Sequence, residues 1–341
     1  MAVIGDSVRP SGHPAVNNPP PIAEAIDVRK VFTRRRGLFA PAAAVHAVNG
    51  VSIQVGVGEV LGLVGESGCG KSTLGRLMLG LLPVTSGEIR FDGHDITRLS
   101  APQMKPLRRH MQVIFQDPLA SLNPYMTVEE ILTEPLKIHR ALPRAQWQAR
   151  ARELLDLVGL PAQALPRKPN QFSGGQQQRI MIARALALRP RFIVADEALS
   201  ALDVSIQAQI LNLFMDIQRD MGISYLFISH NLVVVRHISH RIVVMYLGKV
   251  VETGRAGDVY ASPKHPYTLA LLSAVPLPNP RRERQRRRIA LLGDPPSPAN
   301  IPSGCPFRTR CWKAAQRCAT EVPELRQIDR EGQYVACHFP E

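Results

Sequence analysis

A glycine-rich stretch between residues 65 and 72 carries the chain's clearest chemical signal. It reads GESGCGKS and fits G-x-x-x-x-G-K-[ST] at every fixed position. Glycines let the backbone curl so that successive N–H groups point inward at an anion, and a helix beginning there adds its positive end. We expect Lys71 to reach the outer phosphates of a nucleotide and Ser72 to ligate Mg²⁺. The residues predicted to bind the phosphates are Gly65, Ser67, Gly68, Gly70, Lys71, Ser72 and Thr73.

Two carboxylates end an apolar run at residues 191–203, RFIVADEALSALD. Buried strands of parallel sheets have this composition, and ligands bind at their carboxyl ends. Asp196 is therefore expected to support Mg²⁺, through water, and Glu197 to act as general base on an attacking water. The glycine-rich loop alone fits a transporter ATPase, a kinase, a GTPase or a helicase.

A second anion-binding turn begins at Ser173 and reads SGGQQQR. A Ser-Gly-Gly turn that leads into a good helix former presents N–H groups to an anion. One nucleotide needs only one such turn. The duplication therefore points to a site shared between two chains.

These motifs occur in the order found in ABC-transporter ATPase subunits, which residues 23–260 resemble. VIFQDP at 113–118 matches that family's Q-loop, and the Ile228-Ser229-His230 segment matches its switch histidine. The resemblance implies that Gln116 senses Mg²⁺ and the attacking water and that His230 contacts the γ-phosphate, both as catalytic residues. The family commonly has proline where this chain has Ala198, and we expect hydrolysis to survive that difference. The resemblance also implies nucleotide contacts from Phe32, which would stack on adenine, and from Ser173, Gly174, Gly175, Gln176 and Asp203.

Family members work as head-to-tail dimers, in which the SGGQ turn of one subunit closes on ATP held by the other. The segment SPKHPYTLALLSAVP at 262–276 is similar to an extension of the dipeptide, oligopeptide and nickel importer subfamily. GLFAP near residue 40, SALDVSIQAQIL and the tail cysteines strengthen the resemblance to the second ATPase subunit of dipeptide importers. The implied function is ATP hydrolysis that powers peptide import. The implied partners are a second homologous ATPase, two transmembrane permease subunits and an extracytoplasmic substrate-binding protein.

Two further readings remain open: a nickel or glutathione importer of the same subfamily, and an ABC ATPase that acts on nucleic acid. The net charge of +14 and pI of 10.1 would suit nucleic acid. Relatives of that kind usually carry two ATPase units or long coiled coils. This sequence has one core and no sustained heptads, so we expect no nucleic-acid partner. Much of the charge lies in RRERQRRR at 281–288, which is either a solvated linker or a contact with anionic lipid.

The elements that must position these motifs alternate between strands and helices. We predict an α/β P-loop ATPase with a mainly parallel sheet, an N-terminal antiparallel β portion and a helical insertion at 116–172. A disordered leader at 1–22 precedes the ATPase domain at 23–260, and a C-terminal extension follows at 261–341. The sequence shows neither a signal peptide nor an apolar stretch long enough to span a bilayer. We expect a peripheral protein on the cytoplasmic face of the inner membrane.

Four of the chain's five cysteines lie in that extension: Cys305, Cys311, Cys318 and Cys337. In a reducing compartment such a group binds a metal more often than it forms disulfides, and a segment of Pro, Gly and charged residues offers little core of its own. Zinc sites with four cysteines usually show short C-x₂₋₄-C pairs, which are absent here. A [4Fe–4S] cluster accepts wider spacings, and some of the dipeptide-importer ATPases that the chain resembles carry one. We expect that cluster, with zinc as the alternative, in a structural or redox-sensing role.

Overall fold

The computed structural model describes residues 20–34, 43–276, 284, 288–291, 293–329 and 332–341. The GLFAP segment and nearly all of the predicted leader lie outside these residues. So does most of the arginine run at 281–288.

An antiparallel sheet forms the N-terminal portion, as predicted. Its strand order is β2-β1-β4-β5. Its strands contribute fully buried side chains to the core, such as Val28, Val48 and Val55. The strands are β1 (Ala23–Arg34), β2 (Ala43–Val55), β4 (Ser86–Phe91) and β5 (His94–Asp95).

The second sheet contains the strands that the predicted site residues follow. Its strands are β3 (Val60–Val64), β6 (Met111–Ile114), β7 (Phe192–Asp196), β8 (Ser224–Ser229), β9 (Arg241–Tyr246), β10 (Lys249–Arg255), β11 (Arg326–Gln327) and β12 (Tyr334–Val335). The order is β11-β12-β10-β9-β3-β8-β7-β6. Strands β9, β3, β8, β7 and β6 are parallel, and the last three in the chain add antiparallel pairs. Strands β3, β7 and β8 are buried along their whole length, which explains their continuous apolar sequences.

Helices cover this sheet and fill the connections. They are α1 (Lys71–Met78), α2 (Ala101–Leu107), α3 (Pro118–Ser121), α4 (Val128–His139), α5 (Trp147–Leu157), α6 (Gly174–Leu186), α7 (Val204–Met221), α8 (Leu232–Ile238), α9 (Ala256–Ala261), α10 (Pro266–Ala274) and α11 (Gln316–Thr320). Within the described part of the chain, none of them combines the length and the apolar character that crossing a bilayer requires.

Helices α3 to α5 lie between β6 and β7 in the sequence and pack with α6. Local sequence fixes where α4 begins and ends: Thr127 and Glu130 form a capping box at its start, and Arg140 ends it in a left-handed conformation. Arg184 of α6 pairs with Glu134 of α4 at 3.1 Å. The insertion is thereby tied to the sheet through α6, whereas its bounds at 116–172 stay a prediction.

The C-terminal extension is continuous with the second sheet. Strand β12 pairs with β10, so that Val335 lies opposite Glu252. The buried carboxylate of Glu252 accepts hydrogen bonds from the backbone N–H groups of Lys264 and His265, at 2.7 and 2.9 Å, and from the side chain of Gln333 at 2.7 Å. One side chain therefore joins β10, the start of α10 and the chain's last strand.

The cysteine-bearing segment differs from the expectation that it would lack a hydrophobic core. Cys305, Phe307 and Cys318 are all buried, and they belong to the same apolar cluster as β7 and β8. Local composition did not predict this burial, because the apolar partners come from distant parts of the sequence.

Candidate functional site

The glycine-rich loop follows β3 and ends where α1 begins. Gly70 has φ of +105°, and a Cβ atom there would lie 2.0 Å from the carbonyl oxygen of Ala47. A Cβ atom on Gly65 would lie 2.3 Å from the carbonyl oxygen of Met245. Neither distance is tolerable for a backbone contact, so both positions require glycine.

Lys71 and Ser72 occupy the first turn of α1. The Lys71 side chain is buried, and its Nζ donates to the carbonyl oxygens of Gly65 at 2.8 Å and Glu66 at 3.0 Å. The Ser72 hydroxyl donates to Oδ1 of Asp196 at 2.6 Å. The lysine side chain thus lies against the loop's own backbone, and the serine hydroxyl lies against the end of β7. Ser67 and Gly68 are exposed in the loop and Thr73 is half-buried.

Asp196 and Glu197 emerge at the carboxyl end of β7. Burial raises the pKa of Asp196, and the Ser72 hydroxyl partly counters that rise. Oε1 of Glu197 lies 3.9 Å from Nζ of Lys71, and its Oε2 lies 3.6 Å from Nδ1 of His230. His230 follows β8, the strand beside β7. The sheet therefore brings together five predicted residues: Lys71, Ser72, Asp196, Glu197 and His230.

Two other predicted residues lie exposed at the surface. Gln116 follows β6, which pairs in parallel with β7, so it lies at the same edge of the sheet as Asp196. Phe32 lies in β1 with 40% of its surface exposed, and Lys30 lies over its ring at 5.1 Å. An exposed aromatic ring on a strand suits stacking with a base better than it suits core packing.

The second predicted turn leads into α6. Ser173 caps α6 and forms a capping box with Gln176, and both side chains are exposed. Gly174 is exposed and Gly175 packs against Ile206. Asp203 caps α7 by accepting from the N–H of Ile206 at 3.0 Å. None of the hydrogen bonds or ion pairs described for this turn reaches Lys71 or Ser72.

The four tail cysteines are free thiols, two buried and two half-buried. Burial raises the pKa of Cys305 to about 11, the backbone N–H of Phe307 lowers it, and Cys318, Cys337 and Cys311 raise it further. Because the other three thiols all act on the pKa of Cys305, the four thiols lie near one another. Within the described residues, however, no three His, Cys, Asp or Glu side chains are close enough together to ligate one metal ion.

Sequence reasoning missed two residues that contact the glycine-rich loop. Arg310 pairs with the carboxylate of Glu66 at 2.8 Å, and the Tyr267 hydroxyl accepts from the N–H of Glu66 at 2.8 Å. They lie 244 and 201 residues from Glu66 along the chain. No local pattern marks such distant partners, although Tyr267 belongs to the HPYT segment singled out above.

Comparison with known families gives two matches. Residues 48–200 match the ABC transporter family, and residues 251–318 match the oligopeptide/dipeptide transporter C-terminal region. The first match contains the glycine-rich loop, the SGGQ turn and the Asp196–Glu197 pair. The second contains Tyr267, Arg310 and three of the four tail cysteines.

Individual proteins extend the similarity over most of the chain. A Brucella ovis protein named as a peptide import ATP-binding protein is 54% identical over 295 residues, covering 86% of this chain and 92% of its own. The oligopeptide transport ATP-binding protein AppF of Bacillus subtilis is 50% identical over 320 residues, covering 93% and 97%. Among solved structures, the dimeric ATP-binding cassette MJ0796 with ADP and Pi has a TM-score of 0.61 at 29% identity, covering 69% of this chain and 98% of its own.

Proposed function

The chain belongs to the ABC transporter family of ATP-binding proteins, and we propose that it hydrolyses ATP to power peptide import through a membrane permease. The observation that carries the proposal is the convergence of Lys71, Ser72, Asp196, Glu197 and His230 at one edge of the sheet. Peptide is favoured over nickel or glutathione as cargo because the relatives at 50–54% identity are named for peptides or oligopeptides.

Different residues of the site have different roles in ATP hydrolysis. The loop N–H groups and Lys71 bind the phosphates. Glu197 takes a proton from the attacking water, which a carboxylate can do while it remains ionised. His230, whose ring faces that carboxylate, orients the γ-phosphate and the water relative to it. Gln116 completes the site when the loop after β6 closes.

Magnesium fits the oxygen donors at the mouth of the loop. The Ser72 hydroxyl and the Asp196 carboxylate, 2.6 Å apart, are hard oxygen ligands of the kind Mg²⁺ prefers. Bound there, the ion neutralises phosphate charge. Ser72 would hold it directly and Asp196 through water.

The exposed SGGQ turn supports a composite site. None of the hydrogen bonds or ion pairs described for the turn reaches Lys71 or Ser72 of its own chain, which leaves it free to close on a nucleotide held by a second ATPase subunit. MJ0796, at 29% identity, is a dimer in its solved structures. We assign the second subunit to a homologous chain, which makes the assembly a heterodimer.

The permease partners would contact the helical insertion. Leu119 and Tyr125, which follow the Q-loop, expose 65% and 84% of their surface. Apolar side chains at that exposure are available for a protein contact. Docking there would place the chain peripherally, on the cytoplasmic face of the inner membrane. An extracytoplasmic binding protein would deliver the peptide to the permease.

A [4Fe–4S] cluster fits the donor set in the tail. Cys305, Cys311, Cys318 and Cys337 are unpaired thiols near one another, and cysteine thiolate is the ligand of such clusters. The cluster would supply a structural link or a redox signal. Anaerobic purification should give a coloured protein with iron and sulfide, whereas zinc without sulfide would overturn the assignment.

Replacing Glu197 with Gln tests the proposed function. The change keeps the side chain's size and removes the base, so ATP should still bind while hydrolysis falls by about 10²–10⁴-fold. The measurement is peptide-dependent ATP hydrolysis by the reconstituted complex, with the partner ATPase's own base disabled. The exposed Glu324 offers a matched control, and Glu324→Gln should hydrolyse ATP at the wild-type rate. Undiminished hydrolysis in Glu197→Gln would refute the assignment.

A further inference from the structure

Glu66 places a negative charge inside a loop that binds phosphates. It directly follows Gly65, and its carbonyl oxygen accepts from Lys71. A carboxylate beside a bound triphosphate is repulsive, and the repulsion is stronger where water is partly excluded. Glu66 exposes only 24% of its side chain. The carboxylate therefore needs a counter-charge, and Lys71, the cation of the motif, donates to the backbone carbonyl oxygens of Gly65 and Glu66 instead.

Arg310 supplies that charge from the C-terminal extension. Its Nη1 lies 2.8 Å from Oε2 of Glu66, and its side chain is only 7% exposed. A partly buried pair of this kind is weakly screened by salt. The position is adjacent to Cys311, in the middle of the cysteine-bearing segment.

Tyr267 fixes the backbone of the same residue. Its hydroxyl accepts from the Glu66 N–H, so this N–H points toward the extension. The ring packs against Tyr246 of β9 at 4.7 Å and against Phe307 at 5.4 Å. Phe307 also meets Tyr246 edge-on at 5.2 Å. Three aromatic rings from β9, α10 and the cysteine-bearing segment thus hold the contact in place.

We propose that Arg310 is a positioning residue for ATP binding, acting through Glu66. It neutralises and holds that carboxylate, so the docking of the cysteine-bearing segment sets the loop's affinity for ATP. The inference rests on the proposed function. It also gives the tail a physical connection to the phosphate site, which the sequence did not reveal.

Charge removal and rescue test the proposal. ATP, ADP and AMP affinities are measured for the full-length chain in the Glu197→Gln background, so that hydrolysis does not consume ATP. Arg310→Met should weaken ATP binding on the order of tenfold, because the unpaired Glu66 carboxylate repels the phosphates. The loss should be smaller for AMP, which has fewer charges. Adding Glu66→Gln to Arg310→Met should restore ATP affinity, since the repelling charge is gone.

Two further variants exclude a general effect on folding. Arg310→Lys keeps the charge and should lose less affinity than Arg310→Met. Arg308 lies two residues away and donates to Ser303 instead of the loop, so Arg308→Met should bind ATP as wild type does.

Three outcomes would overturn the proposal: unchanged affinity in Arg310→Met, equal losses for ATP and AMP, or a double variant that binds as weakly as Arg310→Met. A failure of the proposed function is distinguishable from these outcomes. In that case the Glu197→Gln parent would not bind ATP, or would bind it equally well after Lys71→Ala.

Discussion

Glu197 shows how a single residue's conformation serves the site. Its φ of +49° lies in the left-handed region, where a residue other than glycine costs about 1–3 kcal/mol. Three hydrogen bonds hold it there: its N–H donates to the carbonyl oxygen of Ile228 at 3.0 Å, and its own carbonyl accepts from the Ser200 N–H at 3.0 Å and from the Ser200 hydroxyl at 2.9 Å. These bonds form with alanine as the next residue, Ala198. The carboxylate consequently points between Lys71 and His230.

His265 is a buried titratable group of the extension. Burial lowers its pKa to about 3, against a smaller raising contribution from the backbone of Ala336. Its Nδ1 accepts from the N–H of Tyr267 at 3.0 Å, which caps α10 and requires a neutral ring. The His265 ring therefore stays neutral in the folded chain at pH values below about 6.5, where the same ring binds a proton in the unfolded chain.

Stability should therefore fall as the pH drops below about 6.5, with a slope of about 1.4 kcal/mol per pH unit from His265. His265→Asn keeps a capping acceptor and removes the titration. The variant's free energy of unfolding should lose about 2 kcal/mol less than the wild type's between pH 7 and pH 5. Urea unfolding at a series of pH values measures the difference. Burial raises the pKa of neighbouring Glu252 in both chains, so its opposite contribution cancels in the comparison. Parallel pH profiles would show that His265 is protonated in the folded chain.

Residues within short motifs could be predicted from the sequence, and residues brought together by topology could not. Lys71 and Ser72 follow from one eight-residue pattern, and Asp196 and Glu197 from the end of one apolar run. Arg310 carries no such signal, because arginines are common in the tail and its partner belongs to the loop after β3. Arg310 lies inside the second family match, at 251–318, but the match assigns no role to it.

At the scale of elements, the loop between β3 and α1 is fixed by what surrounds it. Gly70 combines a positive φ with a neighbouring strand so close that a methyl group would meet the Ala47 carbonyl. Gly222, after α7, has φ of +64° but open space where its Cβ would lie. A Cβ atom at Gly222 would therefore cause backbone strain alone, whereas a Cβ atom at Gly70 would add a steric collision.

Gly70→Ala should therefore damage the site, whereas Gly222→Ala should affect stability alone. For Gly222→Ala we expect a loss of about 1 kcal/mol in the free energy of unfolding, with ATP hydrolysis unchanged. For Gly70→Ala the loop must shift, and a displacement of that size lowers the hydrolysis rate on the order of 10²-fold. Urea unfolding and ATP hydrolysis, measured on both variants, check this. Similar hydrolysis rates in the two variants would mean that the loop tolerates the shift.

Element prediction succeeded where periodicity or composition was strong. The continuous apolar run at 191–203 predicted β7 as a buried strand of a parallel sheet, and this was confirmed. Strands β11 and β12 have two residues each, too few for an alternating pattern to be visible. Their place in the second sheet depends on β10 and on the buried Glu252, which lies about eighty residues earlier in the chain.

At the scale of the whole molecule, the two anion-binding turns lie apart. The phosphate loop contacts β7, β8 and the extension, while the SGGQ turn is exposed at the start of α6. Two turns that do not meet within one chain can meet across a head-to-tail pair of chains. Each nucleotide would then lie between the loop of one subunit and the turn of the other.

The composite site predicts that two changes in this chain affect different nucleotides. Lys71→Ala should reduce occupancy of the ATP held by this chain's own loop. Ser173→Arg should reduce occupancy of the ATP held by the partner subunit, because a bulky side chain would block the closing turn. Site-resolved nucleotide occupancy in the assembled complex, read by photo-crosslinking to each subunit, measures both. Gln163, exposed in the helical insertion ten residues before Ser173, gives a control, and Gln163→Arg should leave both sites filled. Loss of nucleotide from the same pocket in Lys71→Ala and Ser173→Arg would contradict the shared site, because the turn would then serve the chain that carries it.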